Sequence, residues 1–260
     1  MSDTTPPGGA TPPPPPGYGP ASYGSAPGQG VDVVEAFKWG WKKFTENVSP
    51  ILLAILGYVV AIAVVVVIWY VILAAVFLKT SDDIVIHDDG TVSMGSGPNF
   101  LAVLFVGALT TLVAVLLVSI MQAGFVQGAL RLARGEALTP DAFFKFKNLP
   151  GVVLTSLLVA ILTAVGCALF YLPGIAAALF LQFTLYYAID RGLGPVDAVK
   201  ASFELVKNNL ATAGLTFLGL IVANAVGSLA CGIGALVALP VGLLAQAYVY
   251  RRLTHEPVAA

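Results

Sequence analysis

Four long stretches of the chain contain no Asp, Glu, Lys, Arg or His. The first two, 51–78 and 100–130, hold 28 and 31 residues. A helix rises about 1.5 Å per residue, so each stretch can cross a hydrocarbon core of about 30 Å once. The other two, 151–189 and 210–250, hold 39 and 41 residues, which is enough for two crossings each. This pattern predicts membrane-spanning helices.

Each of the two longer stretches is interrupted near its middle by helix-breaking residues. Pro173 and Gly174 interrupt one, and Gly232 and Gly234 interrupt the other. Such residues end helices and form turns. We therefore predict an all-α, polytopic bundle of six transmembrane helices. The predicted spans are 51–78, 100–130, 151–171, 174–190, 210–230 and 234–250, within a membrane domain of residues 31–252.

The distribution of charge supports six spans. With six spans, twelve of the thirteen Lys and Arg residues lie on one side of the membrane, and Lys79 is the exception. The loop that contains Lys79 also carries Asp82, Asp83, Asp88 and Asp89. Basic loops stay on the cytoplasmic side. Both termini are therefore predicted to be cytoplasmic.

Composition excludes several classes of function. Hydrophobic residues make up 58% of the chain and charged residues 10%, against about 25% charged in a soluble domain. The net charge of −1 provides no basic surface for nucleic acid. Two Cys and two His are too few for a disulfide scaffold or a conventional zinc site. We find no hydrolase, metalloprotease or phosphate-loop motif, and we expect no enzyme activity, no cofactor and no metal.

The loop between the first two spans contains a second local pattern. His87 beside Asp88 and Asp89 could indicate a divalent-ion site. The β-branched run 84–86, followed by Asp89-Gly90, indicates a small β-hairpin instead. We predict the hairpin.

Residues 1–30 have a different composition from the rest of the chain. They hold nine of the seventeen Pro residues, including the run from Pro12 to Pro16. Such a segment cannot bury a core, so we predict a disordered cytoplasmic tail. It could dock a cytoplasmic protein partner, or it could serve as a spacer. Residues 253–260 are predicted to form a short cytoplasmic tail at the other end.

Short amphipathic segments precede the first, third and fifth spans, and they predict helices at the cytoplasmic membrane interface. In the first segment the apolar positions recur at helical spacing. These positions are Val33, Phe37, Trp41, Phe44 and Val48. Aromatic and basic side chains there are expected to anchor the segment to membrane lipids. The predicted anchors are Trp39, Trp41, Lys42 and Lys43.

The recurrence of this arrangement suggests three pseudo-repeats, each an interface helix followed by a transmembrane hairpin. The alternative is that any hairpin entering a membrane converges on the same pattern.

The predicted spans contain amides in place of ionisable side chains, which argues against a proton relay or an ion-coupled pump. One glutamine lies in each even-numbered span: Gln122, Gln182 and Gln246. Asn224 lies in the fifth span, and Gln127 is a second amide in the second span. These amides could join helices by hydrogen bonds, or they could line a polar path for a neutral solute or a lipid headgroup.

Cys167 and Cys231 are predicted near the outer ends of the third and fifth spans. They could form a disulfide in an oxidising compartment. The alternative is two small buried apolar residues.

Three features of the sequence resemble a known family. They are the proline-rich tail, the segment WGWKKF at 39–44 and the segment DRGLGP at 190–195. The chain resembles an uncharacterised actinobacterial family of proline- and glycine-rich integral membrane proteins. That family is more distantly similar to the membrane domain attached to some glycerophosphodiester phosphodiesterases. The resemblance implies a plasma-membrane location, and it implies no catalytic residues.

Two functional hypotheses follow. The first is a non-catalytic envelope scaffold or accessory factor whose tail recruits a partner. Such a protein could also form homo-oligomers. The second is a transporter or lipid-handling protein whose path passes the three glutamines. A polar cavity between the spans would favour the second hypothesis, and a closed, dry bundle would favour the first.

Overall fold

The computed structural model describes residues 31–80, 84–86, 92–94, 100–146, 148–170, 172–229 and 233–260. The predicted tail, 1–30, lies outside the described residues. The described residues form nine α-helices, one 3-10 helix at Pro140–Phe143 and two strands. The helices are α1 (Val33–Glu46), α2 (Val48–Thr80), α3 (Phe100–Ala133), α4 (Leu149–Phe170), α5 (Leu172–Leu181), α6 (Thr184–Asp190), α7 (Pro195–Asn208), α8 (Leu210–Leu229) and α9 (Ile233–Leu253). The strands are β1 (Ile84–Ile86) and β2 (Val92–Met94).

The β-hairpin prediction is confirmed. β1 and β2 pair antiparallel, with Ile84 opposite Met94 and Ile86 opposite Val92. Residues 87–91, which include His87, Asp88 and Asp89, lie outside the described residues, and the divalent-ion alternative is not tested.

Five stretches of helix in the described part of the chain are long and apolar enough to cross a membrane. They are Val48–Ala74, Leu104–Ala133, Leu149–Leu169, Leu172–Asp190 and Leu210–Leu229. The prediction of an all-helical, multi-spanning membrane protein is confirmed. Each of these stretches carries large exposed apolar side chains, which suit a lipid environment.

The sixth predicted span corresponds to α9, which differs from the other five. α9 packs against α1, α3 and α8, and Tyr248 and Tyr250 on it are buried. Its final turn carries Arg251 and Arg252. A helix enclosed by protein can hold tyrosines and a buried arginine that a lipid-facing helix would not. The first half of α9 carries exposed Leu236 and Leu239, whereas its second half is enclosed by protein, and the sixth span stays a prediction.

α1 packs on α9 through small residues. Ala36 and Gly40 are buried, and a Cβ on Gly40 would lie 2.8 Å from the backbone oxygen of Val241. On the predicted apolar face Phe44 is buried and Trp41 is 55% exposed, and its contact with the membrane interface stays a prediction. Close packing against another helix selects small residues on the buried face, and counting large apolar side chains overlooks them.

The helices pack tightly at one end of the bundle, where most of the basic residues lie. In α2 the buried residues are Ile51, Ala54 and Tyr58, all in its first eleven positions. In α3 most of the buried residues lie between Ala123 and Ala133, in its last eleven positions. We call this the basic end. Toward the opposite end the described side chains are mostly exposed.

The 3-10 helix packs against two glycines of α3 at the basic end. A Cβ on Gly128 would lie 2.6 Å from the Phe143 ring, and one on Gly124 would clash with the Phe143 carbonyl oxygen and the Tyr58 hydroxyl. The Tyr58 hydroxyl donates to that carbonyl at 2.6 Å. The two glycines therefore leave room for the 3-10 segment, and Gly124 also leaves room for Tyr58 of α2.

The element order fits three repeats, namely α1–α2–α3, the 3-10 helix with α4–α6, and α7–α9. The second and third hairpins both close through glycine pairs. A Cβ on Gly166 would lie 2.9 Å from Gly174, and one on Gly227 would lie 3.0 Å from Gly234. Superposition of the three units remains the test of the repeat.

Residues 254–260, predicted as a tail, pack back on the basic end. The backbone N–H of Ala259 donates to Ala133 at 3.0 Å, and the indole N–H of Trp39 donates to the Ala259 carbonyl at 2.8 Å. Arg251 donates to the Pro257 carbonyl at 2.9 Å. Trp39 was predicted as a lipid anchor, but its burial shows that it joins two parts of the protein, so that prediction is wrong.

We expect Trp39→Phe to lower the free energy of unfolding by about 1 kcal/mol, since the ring is kept and one hydrogen bond is lost. SDS-driven unfolding in detergent micelles measures this. Trp41→Phe is the matched control and should be neutral, because Trp41 is exposed. An equal loss in both variants would contradict the assignment.

Candidate functional site: an amide-lined cavity

A cavity of about 980 Å³ lies between α3, α4, α5, α8 and α9. Its described lining is mostly aliphatic and contains no Asp, Glu, Lys, Arg or His. Polar side chains reach it from α3, α4, α8 and α9, and Gln182 reaches it from the position just after the end of α5. These polar residues are Ser119, Gln122, Ser156, Thr163, Gln182, Asn224 and Gln246. The cavity therefore brings together four of the five amides of the predicted spans, and Gln127 is the exception.

Two of the four amides contact each other. The Gln246 side-chain nitrogen lies 3.5 Å from the Gln182 side-chain oxygen. Gln182 also donates to the Ala213 carbonyl of α8 at 3.1 Å. Gln246 is buried, and its oxygen lies 3.4 Å from the Tyr186 hydroxyl, which donates to the Leu243 carbonyl at 2.8 Å. This cluster lies at the end of the cavity nearest the basic end.

The other two amides remain available to a ligand. Gln122 is exposed and makes no side-chain hydrogen bond with any described residue. Asn224 is also exposed, and its side-chain nitrogen donates to Leu220 of its own helix at 2.8 Å. Its side-chain oxygen is left for another partner.

Gln127 has a different role, although it is only five residues from Gln122. Its side-chain nitrogen donates to the carbonyls of Ala142 and Lys145 at 2.6 and 2.8 Å. It therefore fixes the 3-10 segment to α3. Gln127 thus joins two elements by hydrogen bonds, whereas a polar path at Gln122 stays a prediction.

An ionic network closes the basic end. The Arg134 guanidinium pairs with Asp190, whose other oxygen accepts from the Tyr250 hydroxyl at 3.1 Å. Burial alone would lower the pKa of Arg134, but its hydrogen bond with Asp190 and the charge there raise it. A hydrogen bond from Lys145 lowers the pKa of the exposed Asp141 to about 2. These groups lie outside the cavity.

Other predicted site residues lie elsewhere. Trp41 and Lys42 are exposed, and Lys43 pairs with Glu46 at 3.1 Å, so their contact with lipid stays a prediction. Cys167 forms no disulfide with any residue that the structure describes. Cys231 lies outside the described residues, and the disulfide stays a prediction. Within the ranges described, no cluster of three metal-ligating side chains occurs.

Several lining residues were missed by sequence reasoning. Ser119 lies three positions before Gln122, and Ser156 lies seven before Thr163, which are helical spacings for one face. Hydroxyls also bond to their own helix, as Ser156 does to Val152 at 3.0 Å. Because of that, serine or threonine alone gives little signal in a span.

The chain is 35% identical over 232 residues to the uncharacterised proteins Mb2590 of Mycobacterium bovis and MT2637 of Mycobacterium tuberculosis. It is 34% identical over 232 residues to the uncharacterised protein Rv2560 of Mycobacterium tuberculosis. Each match covers 86% of this chain and 69% of the relative. No family model and no solved structure matches the chain.

Proposed function

This chain belongs to a family that includes these uncharacterised mycobacterial proteins, and we propose that it binds a neutral, lipid-like molecule in its amide-lined cavity. In this proposal it is a transporter or lipid-handling protein of the plasma membrane. The basic end faces the cytoplasm, in keeping with the positive-inside rule. The more open end of the bundle then faces the outside.

One observation carries the proposal. Four amides from different parts of the chain border one cavity of about 980 Å³, and two of them, Gln122 and Asn224, are exposed there. Amides whose task was only to join helices would be paired, as Gln127 is. Ligand pockets reach about 1,000 Å³ and combine an apolar lining with a few polar groups, which this cavity does.

The lining also favours a class of ligand. The described lining contains no ionisable side chain, so it offers a charged headgroup no counter-ion. Amide and hydroxyl groups both donate and accept hydrogen bonds, which suits a hydroxyl- or amide-bearing headgroup. The aliphatic lining suits a hydrocarbon chain.

The scaffold hypothesis is second to this one. It rests on the proline-rich tail, which lies outside the described residues, and on a closed bundle. The cavity counts against a closed bundle. A partner recruited by the tail is compatible with ligand binding, and we propose that the bundle itself performs no catalysis. The distant similarity to the membrane domain attached to some phosphodiesterases stays a prediction that would suit a lipid ligand.

Photoaffinity labelling of the full chain in lipid nanodiscs tests the proposal. The probe is a diacylglycerol analogue with a photoreactive acyl chain, and the comparison probe is a phosphatidic acid analogue with the same chains. We expect the neutral probe to label the cavity helices α3, α4, α8 and α9, and unlabelled diacylglycerol to compete. Mass spectrometry of the peptides maps the labelled positions.

Exposed residues that face away from the cavity provide the background level. Val60 and Tyr70 of α2 serve this purpose, because both are more than half exposed and neither lines the cavity. Labelling of the cavity no higher than at these positions would refute ligand binding. Equal cavity labelling by the anionic probe would refute the neutral class.

A further inference from the structure

The fourth span is broken at Gln182 and Phe183, although neither residue is a helix breaker. α5 ends at Leu181 and α6 begins at Thr184. Sharp interruptions in helices come from Pro, from Gly or Ser pairs, or from a side chain that inserts into the hydrogen-bond ladder. The four residues from 181 to 184 include no Pro, Gly or Ser. The cause must therefore lie elsewhere in the fold.

Ser202 of α7 is the inserted side chain. Its hydroxyl accepts from the backbone N–H of Phe183 at 3.2 Å and donates to the carbonyl of Phe180 at 2.8 Å. Ser202 is fully buried, and the neighbouring Phe203 ring stacks on Phe180 with centroids 4.7 Å apart. Non-helical backbone at membrane depth is tolerated where side chains satisfy it and it borders a cavity.

The break lies against the cavity and its amide cluster. Gln182 occupies the break and connects α8, through Ala213, with α9, through Gln246. Thr184 follows the break, and its buried hydroxyl is the one side-chain polar atom without a partner among the described buried groups. An unpaired buried hydroxyl is unfavourable, so local hydrogen bonding alone does not select this conformation. Discontinuous spans mark the substrate sites of many transporters.

We propose that Ser202 is the positioning residue of the cavity. It holds the fourth span broken, and the break places Gln182 against Gln246. The opposite face of α7 carries exposed Lys200 and Glu204. A shift of this surface helix therefore reaches the amide contact through the Ser202 hydroxyl, beside the Phe203–Phe180 stack. The consequence for ligand binding rests on the proposed function, whereas the consequence for the geometry of the span does not.

Distances between spin labels test the geometry in the full chain in nanodiscs. The background is Cys167→Ala with Cys231→Ala, and labels are attached at Ile175→Cys in α5 and Val196→Cys in α7, which are exposed positions. We expect Ser202→Ala to shift and broaden the distance distribution measured by pulsed EPR. Ser202→Thr keeps the hydroxyl and should restore the parent distribution.

Labelling by the diacylglycerol probe is the second measurement. It should fall about fivefold in Ser202→Ala and recover in Ser202→Thr, as expected for one hydrogen bond. Thr216→Val is the matched control, because Thr216 is fully buried but donates within its own helix, to Thr212 at 2.7 Å.

Three outcomes are decisive. An unchanged distance distribution in Ser202→Ala would overturn the positioning role, and so would the same change in Thr216→Val. If the parent chain is not labelled above background, the proposed function fails, while the EPR distances still decide the role of Ser202.

Discussion

Gly124→Ala is expected to lower the free energy of unfolding by about 3 kcal/mol, through overpacking and the loss of a buried hydrogen bond. The added methyl group would meet the Phe143 carbonyl oxygen and the Tyr58 hydroxyl. The carbonyl belongs to the backbone and cannot rotate away. The change should separate the 3-10 segment from α2 and α3. SDS titration in micelles, followed by tyrosine and tryptophan fluorescence, measures the loss.

Gly107→Ala is the matched control in the same helix. A Cβ at Gly107 would meet nothing within 4 Å. There the substitution should raise stability by about 0.5 to 1 kcal/mol, because alanine favours helix more than glycine does. If the two substitutions had the same effect, the close contact at Gly124 would not be the cause.

Replacing Gln122 and Asn224 together by leucine is expected to reduce labelling by the neutral probe at least about tenfold, since two hydrogen-bonding groups are lost. Stability should stay unchanged, because neither side chain joins two parts of the fold. Gln127→Leu should lower stability and leave the labelling of the folded protein unchanged. It leaves the carbonyls of Ala142 and Lys145 without their donor, and should cost about 2 kcal/mol in stability.

The comparison between Gln122 and Gln127 separates the two proposed roles of intramembrane amides. Labelling is corrected for the folded fraction of each variant, which is measured by size-exclusion chromatography of the nanodisc sample. If the double variant is labelled like the parent chain, the exposed amides do not contact the ligand. If Gln127→Leu loses labelling without losing stability, the assignments are reversed.

The sequence predicts the positions of the helices well. The predicted span 210–230 and the helix Leu210–Leu229 differ by one residue. This accuracy has a physical cause, because a backbone in hydrocarbon must satisfy its hydrogen bonds locally, and a long uncharged stretch leaves only the helix. The β-hairpin was predictable from Asp89-Gly90 for a similarly local reason.

Packing between elements could not be predicted in the same way. The spacing of Gln182 and Gln246 along the chain does not say that their helices are neighbours. The break at Gln182 depends on Ser202, twenty residues later, and the local sequence contains no sign of it. Trp39 resembles a lipid anchor by residue type, and its burial depends on Ala259 far along the chain.

The packing of α9 against three other helices has a consequence for biosynthesis. The ribosome makes α9 after every helix that it packs against. Until α9 enters the bilayer, α1, α3 and α8 lack their common packing partner. Gln182 and Asp190 also lack the hydrogen-bond partners that α9 provides, Gln246 and Tyr250. The packed end therefore cannot be completed before α9 is in place.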